Sequence, residues 1–214
     1  DIEFTSKEAV LSSTMDINGY SMTVNGKLNM QGEIDINYGK VCVDGTLQQI
    51  GGQINIDGGE LYVSDDYIMA KDSKNSATDE FEYTYTNYAD VSTKQLKMDK
   101  VADIVKIGGD FYCYPYSGVS LTAGNMYIGG DFTSKDGYYS NSFRASGSHA
   151  VIFNGEEKQN VSFDNNYNHF NNLKTCEDYK GTILINDYFG FTKLVSDIEF
   201  TSKEAVLSST MDIN

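Results

Sequence analysis

Apolar and polar residues alternate along most of this chain in very short runs. Met22-Thr23-Val24, Ile34-Asp35-Ile36 and Ile54-Asn55-Ile56 are triplets of that form. Gly39-Lys40-Val41-Cys42-Val43 and Gly59-Glu60-Leu61-Tyr62-Val63 lie twenty residues apart, and Gly26-Lys27-Leu28-Asn29-Met30 and Gly124-Asn125-Met126-Tyr127-Ile128 share their pattern of glycine, polar, aliphatic, any, aliphatic. Ile107-Gly108-Gly109-Asp110-Phe111 returns 21 residues later as Ile128-Gly129-Gly130-Asp131-Phe132. Alternation with period two is a strand with one buried face. Glycine every six to eight residues turns a corner without a Cβ clash. Short strands and corners recurring at about 20 residues describe one coil of a β-solenoid. The chain is therefore expected to be all-β, a parallel β-solenoid (β-helix), right-handed by the usual crossover preference. The alternative is an antiparallel sandwich with hairpins at Asn25-Gly26, Asp44-Gly45 and Asp57-Gly58. Gly26 and Gly39 are only 13 residues apart, so the first coil is either short or misaligned.

A longer repeat encloses the short one. DIEFTSKEAVLSSTMDIN runs from Asp1 to Asn18 and again, without a mismatch, from Asp197 to Asn214. Identity at a fixed offset of 196 residues is the mark of an array; an engineered overlap is the alternative source. Residues 1–196 read as one repeat unit and 197–214 as the start of the next. Phe4, Val10, Leu11, Met15 and Ile17 look like part of a continuing coil, and the second copy is expected to fold as the first does, one unit further along the axis. At ~4.8 Å per coil and about 20 residues per coil, a unit would rise roughly 45 Å. The chain begins without Met and without a signal peptide, which reads as an internal excerpt. Residues 70–90 break the pattern: they are polar, then alternate Phe81, Tyr83 and Tyr85. They are expected to leave the stack as a loop followed by a strand laid on the outside, serving either as a functional excursion or as a solvated insertion. Regular rungs resume near Leu96.

Composition narrows the function classes. The net charge is −15, about −12 for one unit, and Arg144 is the only arginine. Such a chain is a poor binder of nucleic acid, and in an array its charge would keep fibres soluble and mutually repelled. No apolar run approaches the ~20 residues that span a bilayer.

Candidate chemistry is sparse. Cys42, Cys113 and Cys176 match no zinc spacing. Cys42 occupies the outward position held by Tyr62 and Tyr127. Cys176 should also face out and Cys113 in. The outward pair would be available for cross-links in an oxidising setting. His149, after Ser-Gly-Ser, is expected to bond a backbone group, and His169 stands apart from it. Asp65-Asp66 reads as a turn, with a cation contact as the alternative. Tyr112, Tyr114 and Tyr116 sit at alternating outward positions, as outer-face ladders or as a carbohydrate-binding stripe. There is no nucleophile–base pair, phosphate loop or calcium-binding nonapeptide, so no catalytic, cofactor-binding or metal-ligating residue is expected.

The segments DIVKIGGDF (103–111), MYIGGDFT (126–133), FRASGSHAVIFNGEEKQNVSF (143–163) and HFNNLKT (169–175) resemble repeat modules of large secreted surface proteins of Firmicutes of the clostridial type, adhesin-like and cell-wall-associated. Residues 28–64 resemble their Gly-Asn-rich part more loosely. The resemblance implies an extracellular β-solenoid in tandem array and no catalytic residue. A structural repeat of a surface fibre, stalk or filament is the first expectation, its partners being neighbouring copies of itself. An adhesin that presents a glycan- or protein-binding face to a cell wall or host surface is the second. A polysaccharide-acting enzyme is the third.

Overall fold

The computed structural model describes residues 1–74, 81–87, 93–139, 141–194, 199–200 and 204–207, with the backbone alone at Lys74, Phe81 and from 187 onward. The described residues contain strands and turns and no helix. The chain winds as a parallel β-solenoid of about eight coils with three faces. The first face stacks Ile2–Phe4, Ser21–Val24, Lys40–Val43, Glu60–Val63, Ile104–Ile107, Asn125–Ile128, Ala150–Phe153 and Phe170–Thr175. The second stacks Glu8–Leu11, Lys27–Met30, Leu47–Gln49, Tyr67–Met69, Phe111–Cys113, Phe132–Ser134, Lys158–Phe163 and the start of Thr182–Leu194. The third runs from Thr14–Asp16 through Glu33–Asp35, Gln53–Asn55 and Leu96–Met98 to Ser120–Leu121. It then thins to single bridges, Leu121 with Ala145 and Arg144 with His169.

The period-two pattern turns one side of every strand into the bore. On the first face Val24, Val43, Val63, Ile107, Ile128 and Phe153 form one buried column. Ile34 and Ile54 form another on the third. Each aliphatic burial contributes about 1.5–3 kcal/mol. Phe170 and Leu173 are buried, as are Ile183 and Ile185. Stacked corners need glycine: Gly45 has φ +155°, and a Cβ there would lie 2.7 Å from the backbone of Gly26 in the coil before. These Asn-Gly and Asp-Gly pairs are thus solenoid corners and not hairpin turns.

The short first coil resolves on the faces. Gly26–Met30 does not align with Gly39–Val43. It lies on the second face, over Leu47–Gln49, while Met22-Thr23-Val24 aligns with Val41-Cys42-Val43. Corner glycines precede strands on more than one face, so the two patterns read alike in sequence. The coil count also falls short of 196 divided by 20. Glu60 pairs with Ile104, 44 residues on, because the intervening excursion adds no coil. At about 4.8 Å per coil, eight coils rise about 40 Å.

The expected second copy of 1–18 is only partly among the described residues. Asp197, Ile198, 201–203 and 208–214 lie outside them. Glu199–Phe200 and Glu204–Leu207 each pair parallel with the long strand Thr182–Leu194.

Candidate functional site

The excursion is a β-hairpin, and it is the only antiparallel pairing among the described strands. Lys71–Lys74 pairs with Phe81–Thr84, Lys71 opposite Thr84. Residues 75–80 and 88–90 of the expected excursion lie outside the described residues, as do 91 and 92. The stem leans on the second face, where Gln48 Nε2 donates to Asp72 Oδ1 at 3.0 Å. The returning chain then rejoins the stack. The Thr86 amide donates to the Tyr114 carbonyl at 3.0 Å, and the Asn87 amide to that of Ile50 at 2.7 Å.

A buried polar knot fixes this return. Thr86 Oγ1 donates to Gln95 Oε1 at 2.7 Å and accepts from the Tyr116 amide at 2.8 Å. Gln49 Nε2 donates to the Gln95 carbonyl at 2.8 Å, and the Tyr67 hydroxyl donates to Gln49 Oε1 at 2.5 Å. Thr86, Gln95, Gln49 and Tyr67 are all fully buried. Buried polar groups linked in this way hold a unique local arrangement. Sequence reasoning missed the knot. Its one signal was Gln49, a polar residue in an inward slot that Met30 and Met69 fill in neighbouring coils.

On this base stands a continuous tyrosine surface. Tyr83 packs on Tyr112 with ring centroids 4.9 Å apart, and Tyr85 on Tyr114 and Tyr116 at 6.1 and 5.7 Å. Tyr116 stacks on Tyr138 at 5.0 Å and 15°, and Tyr138 meets Tyr139 edge-on at 5.0 Å. Tyr112, Tyr114 and Tyr116 are half-buried beneath, as their alternating outward positions predict. Tyr83, Tyr85, Tyr138 and Tyr139 are exposed above them. Aromatic pairs of this kind contribute about 0.5–1.5 kcal/mol each beyond area burial. Burial, then its tyrosine and Asp164 neighbours, push the Tyr112 hydroxyl up to about 12. Burial, then Asp72 and Asp66, raise that of Tyr83. Both stay protonated at neutral pH, as donors on apolar plates.

No protein-family model, curated protein or solved structure matches this chain. The surface is therefore read from its own geometry. It offers apolar ring faces and neutral hydroxyls.

The remaining sequence candidates are dispersed. Asp66 Oδ1 accepts from the Asp110 amide at 2.8 Å, and Asp110 Oδ1 from the Asp131 amide at 2.7 Å. Asp131 accepts from the Asn160 amide at 2.7 Å and from its Nδ2 at 2.9 Å. Asp66 is thus a corner residue, and the recurring Gly-Gly-Asp-Phe is a device by which one coil holds the amide of the next. Burial raises the Asp110 carboxyl, with smaller contributions from Asp66 and Asp131, against the lowering effect of the Asp131 amide. His149 corrects its expectation. Its backbone amide bonds the Ser146 carbonyl, but both ring nitrogens are buried without a hydrogen-bond partner. Burial drives its pKa down to about 3. The Ser-Gly-Ser corner turns the ring inward, away from the backbone groups it was expected to meet. Arg144 and His169 are joined by a parallel backbone bridge. Cys42 lies opposite Tyr62 and is half-exposed, as is Cys176, whereas Cys113 is buried and its thiol is pushed up by burial. Among the described residues no three His, Cys, Asp or Glu side chains gather closely enough to hold a metal ion. No described helix is long and apolar enough to cross a membrane.

Proposed function

We propose that this chain is a structural repeat of an extracellular surface fibre or stalk, built by stacking solenoid coils end on end. The observation that carries the reading is the first-face ladder, which runs in parallel register from Ile2 to Thr175 without a break. The sequence of its opening coil recurs 196 residues later. Each coil offers the next a row of backbone donors and acceptors, so repeat number sets length. Neighbouring copies of the chain are the partners, at the cell surface. The acidic balance and the single arginine disfavour nucleic acid. Electron microscopy of tandem arrays tests the reading. Filaments are expected to lengthen by about 40 Å per added repeat; arrays of globular particles would overturn it.

The tyrosine surface favours a second reading, an adhesin that carries a glycan-binding face on the same scaffold. A glycan array is expected to show binding that disappears in a Tyr85→Ala, Tyr138→Ala double variant. No catalytic role is proposed for the chain. Turnover of a polysaccharide that is lost on substituting Asp65 and Asp66 would reverse that position.

A further inference from the structure

The eighteen duplicated residues are seen in two settings. In the first copy Ile2–Phe4 opens the first face, against Met22–Val24. Glu8–Leu11 opens the second, against Lys27–Met30. In the second copy Glu199 and Phe200, equivalent to Glu3 and Phe4, pair with Leu184 and Ile185. Those two pair in turn with Asn160 and Val161, which belong to the second face. Glu204–Leu207, equivalent to Glu8–Leu11, pairs with Tyr188–Phe191. Tyr188 pairs with Phe163, the last residue of the second-face strand Lys158–Phe163, and Phe191 with Phe170, the first residue of the first-face strand Phe170–Thr175, so Glu204–Leu207 spans the side between those two faces, where the third face lies. The same residues have therefore moved round by one face: first to second, second to third.

We propose that consecutive repeats join as one unbroken stack that advances eight coils and one further face per 196 residues. This rests on the fibre reading above. The docking surface is the unpaired edge of Ile2–Phe4 and Glu8–Leu11. Its occupant is the Thr182–Leu194 strand of the preceding copy. Leu184 of that copy lies opposite Glu3, Ile185 opposite Phe4, and Phe191 opposite Leu11. Two observations favour this occupant. The chain already seats its own duplicate of the edge on that strand. The edge itself leaves Ile2 and Phe4 exposed, although their partners Met22 and Val24 in the next coil are buried, and an uncovered row of backbone groups invites pairing. One face is about a third of a turn. A feature such as the tyrosine surface would reappear on all three sides of the fibre over three repeats, about 120 Å at ~4.8 Å per coil.

Disulfide trapping in the full chain tests the face advance, with Cys42→Ser and Cys176→Ser as background. Leu184→Cys with Glu199→Cys places two thiols at the observed partners. Lys174→Cys with Glu199→Cys places them where a stack without the advance would bring them, on the first face. Leu184 and Lys174 are half-exposed, so neither change opens the core. The first pair is expected to oxidise at least tenfold more completely than the second. Any other pattern, whether the reverse, both or neither, overturns the proposal. In the unaltered chain, amide exchange at 199–200 and 204–207 is expected to be slowed; free exchange there overturns it as well. Filaments without the 184–199 bridge would sink the face advance and leave the fibre reading standing. The bridge without filaments in tandem arrays would do the opposite.

Discussion

The lower and upper coils solve the same packing problem in different ways. Between Ser21 and Met69 partners recur every 19 or 20 residues. One aliphatic side chain sits on another, and all three faces carry strands. Above Phe111 the spacing on the second face grows to 29 residues between Phe132 and Val161. The third face shrinks there to single bridges. Phenylalanine fills the wider bore: Phe132 touches Phe143, Phe163 and Phe170 at centroid distances of 4.9, 5.1 and 4.9 Å. Phe143 lies outside any strand, in the long turn between two coils. A regular period therefore marks coils braced on three sides. Where one brace thins, rings supplied by the turns replace it, and the parallel ladders of the other two faces continue unchanged.

The sharpest break of this contrast is Phe132→Ala, which should cost about 3–5 kcal/mol, against about 0.5–1.5 kcal/mol for Ile54→Val in a lower coil. Urea melts of the two variants measure it; equal losses would mean that the aromatic cluster is not the keystone of the upper coils.

Acid is expected to separate the regions next. His149, an upper-coil residue, is neutral when folded and titrates only near pH 3, whereas the unfolded chain takes up that proton near 6.5. Its contribution is complete above pH 6.5 and is lost as pH falls, by about 1.4 kcal/mol per unit, or about 3 kcal/mol at pH 4. His169, also lowered mainly by burial, acts in the same direction. Asp35, Asp110 and Asp136 act in the opposite one. Burial raises each of these carboxyls, so their ionisation penalises the fold at neutral pH and is relieved as pH drops. Thermal melts from pH 7 to 4 should show stability falling, and His149→Leu should remove most of the fall. A variant that loses as much as the parent would show that another group is responsible.

Two smaller effects probe the corners. Gly45→Ala in the lower coils should cost more than about 1 kcal/mol, since the new Cβ meets Gly26 backbone at a φ unsuited to alanine. Asp110→Ala in the upper coils removes one partly exposed coil-to-coil bond and should cost about 1 kcal/mol. If the ranking of these two is inverted, carboxylate links rather than glycine clearance set the strength of a corner.

Much of the fold was legible because the signals are local. Triplets such as Ile34-Asp35-Ile36, and the return of Gly-Gly-Asp-Phe after 21 residues, report burial and period directly. Face identity was not, because the alternation is the same on every face; that is why Gly26–Met30 was aligned with the wrong strands. Parity across a corner was equally silent. Tyr62 faces out and Tyr67, five residues on, is fully buried, a difference set by the number of residues in the turn between them. Of the tyrosine surface, Tyr112, Tyr114 and Tyr116 could be read from their alternation. Their contact with Tyr83 and Tyr85 could not, because it depends on a hairpin folding back across a coil nearly thirty residues away.

That hairpin leaves the stack after Met69 and rejoins it at Thr86 within one coil, on top of Ile50 and beneath Tyr114. The ladders above and below continue in register, as if the residues between were not there. The hairpin strands Lys71–Lys74 and Phe81–Thr84 thus belong to a length-neutral cassette that adds no coil. Its contents can be exchanged, lengthened or decorated while the pitch of the coil stays fixed, provided Thr86 and its glutamine partners close the gate behind it. Variation within the hairpin is thereby uncoupled from the construction of the scaffold.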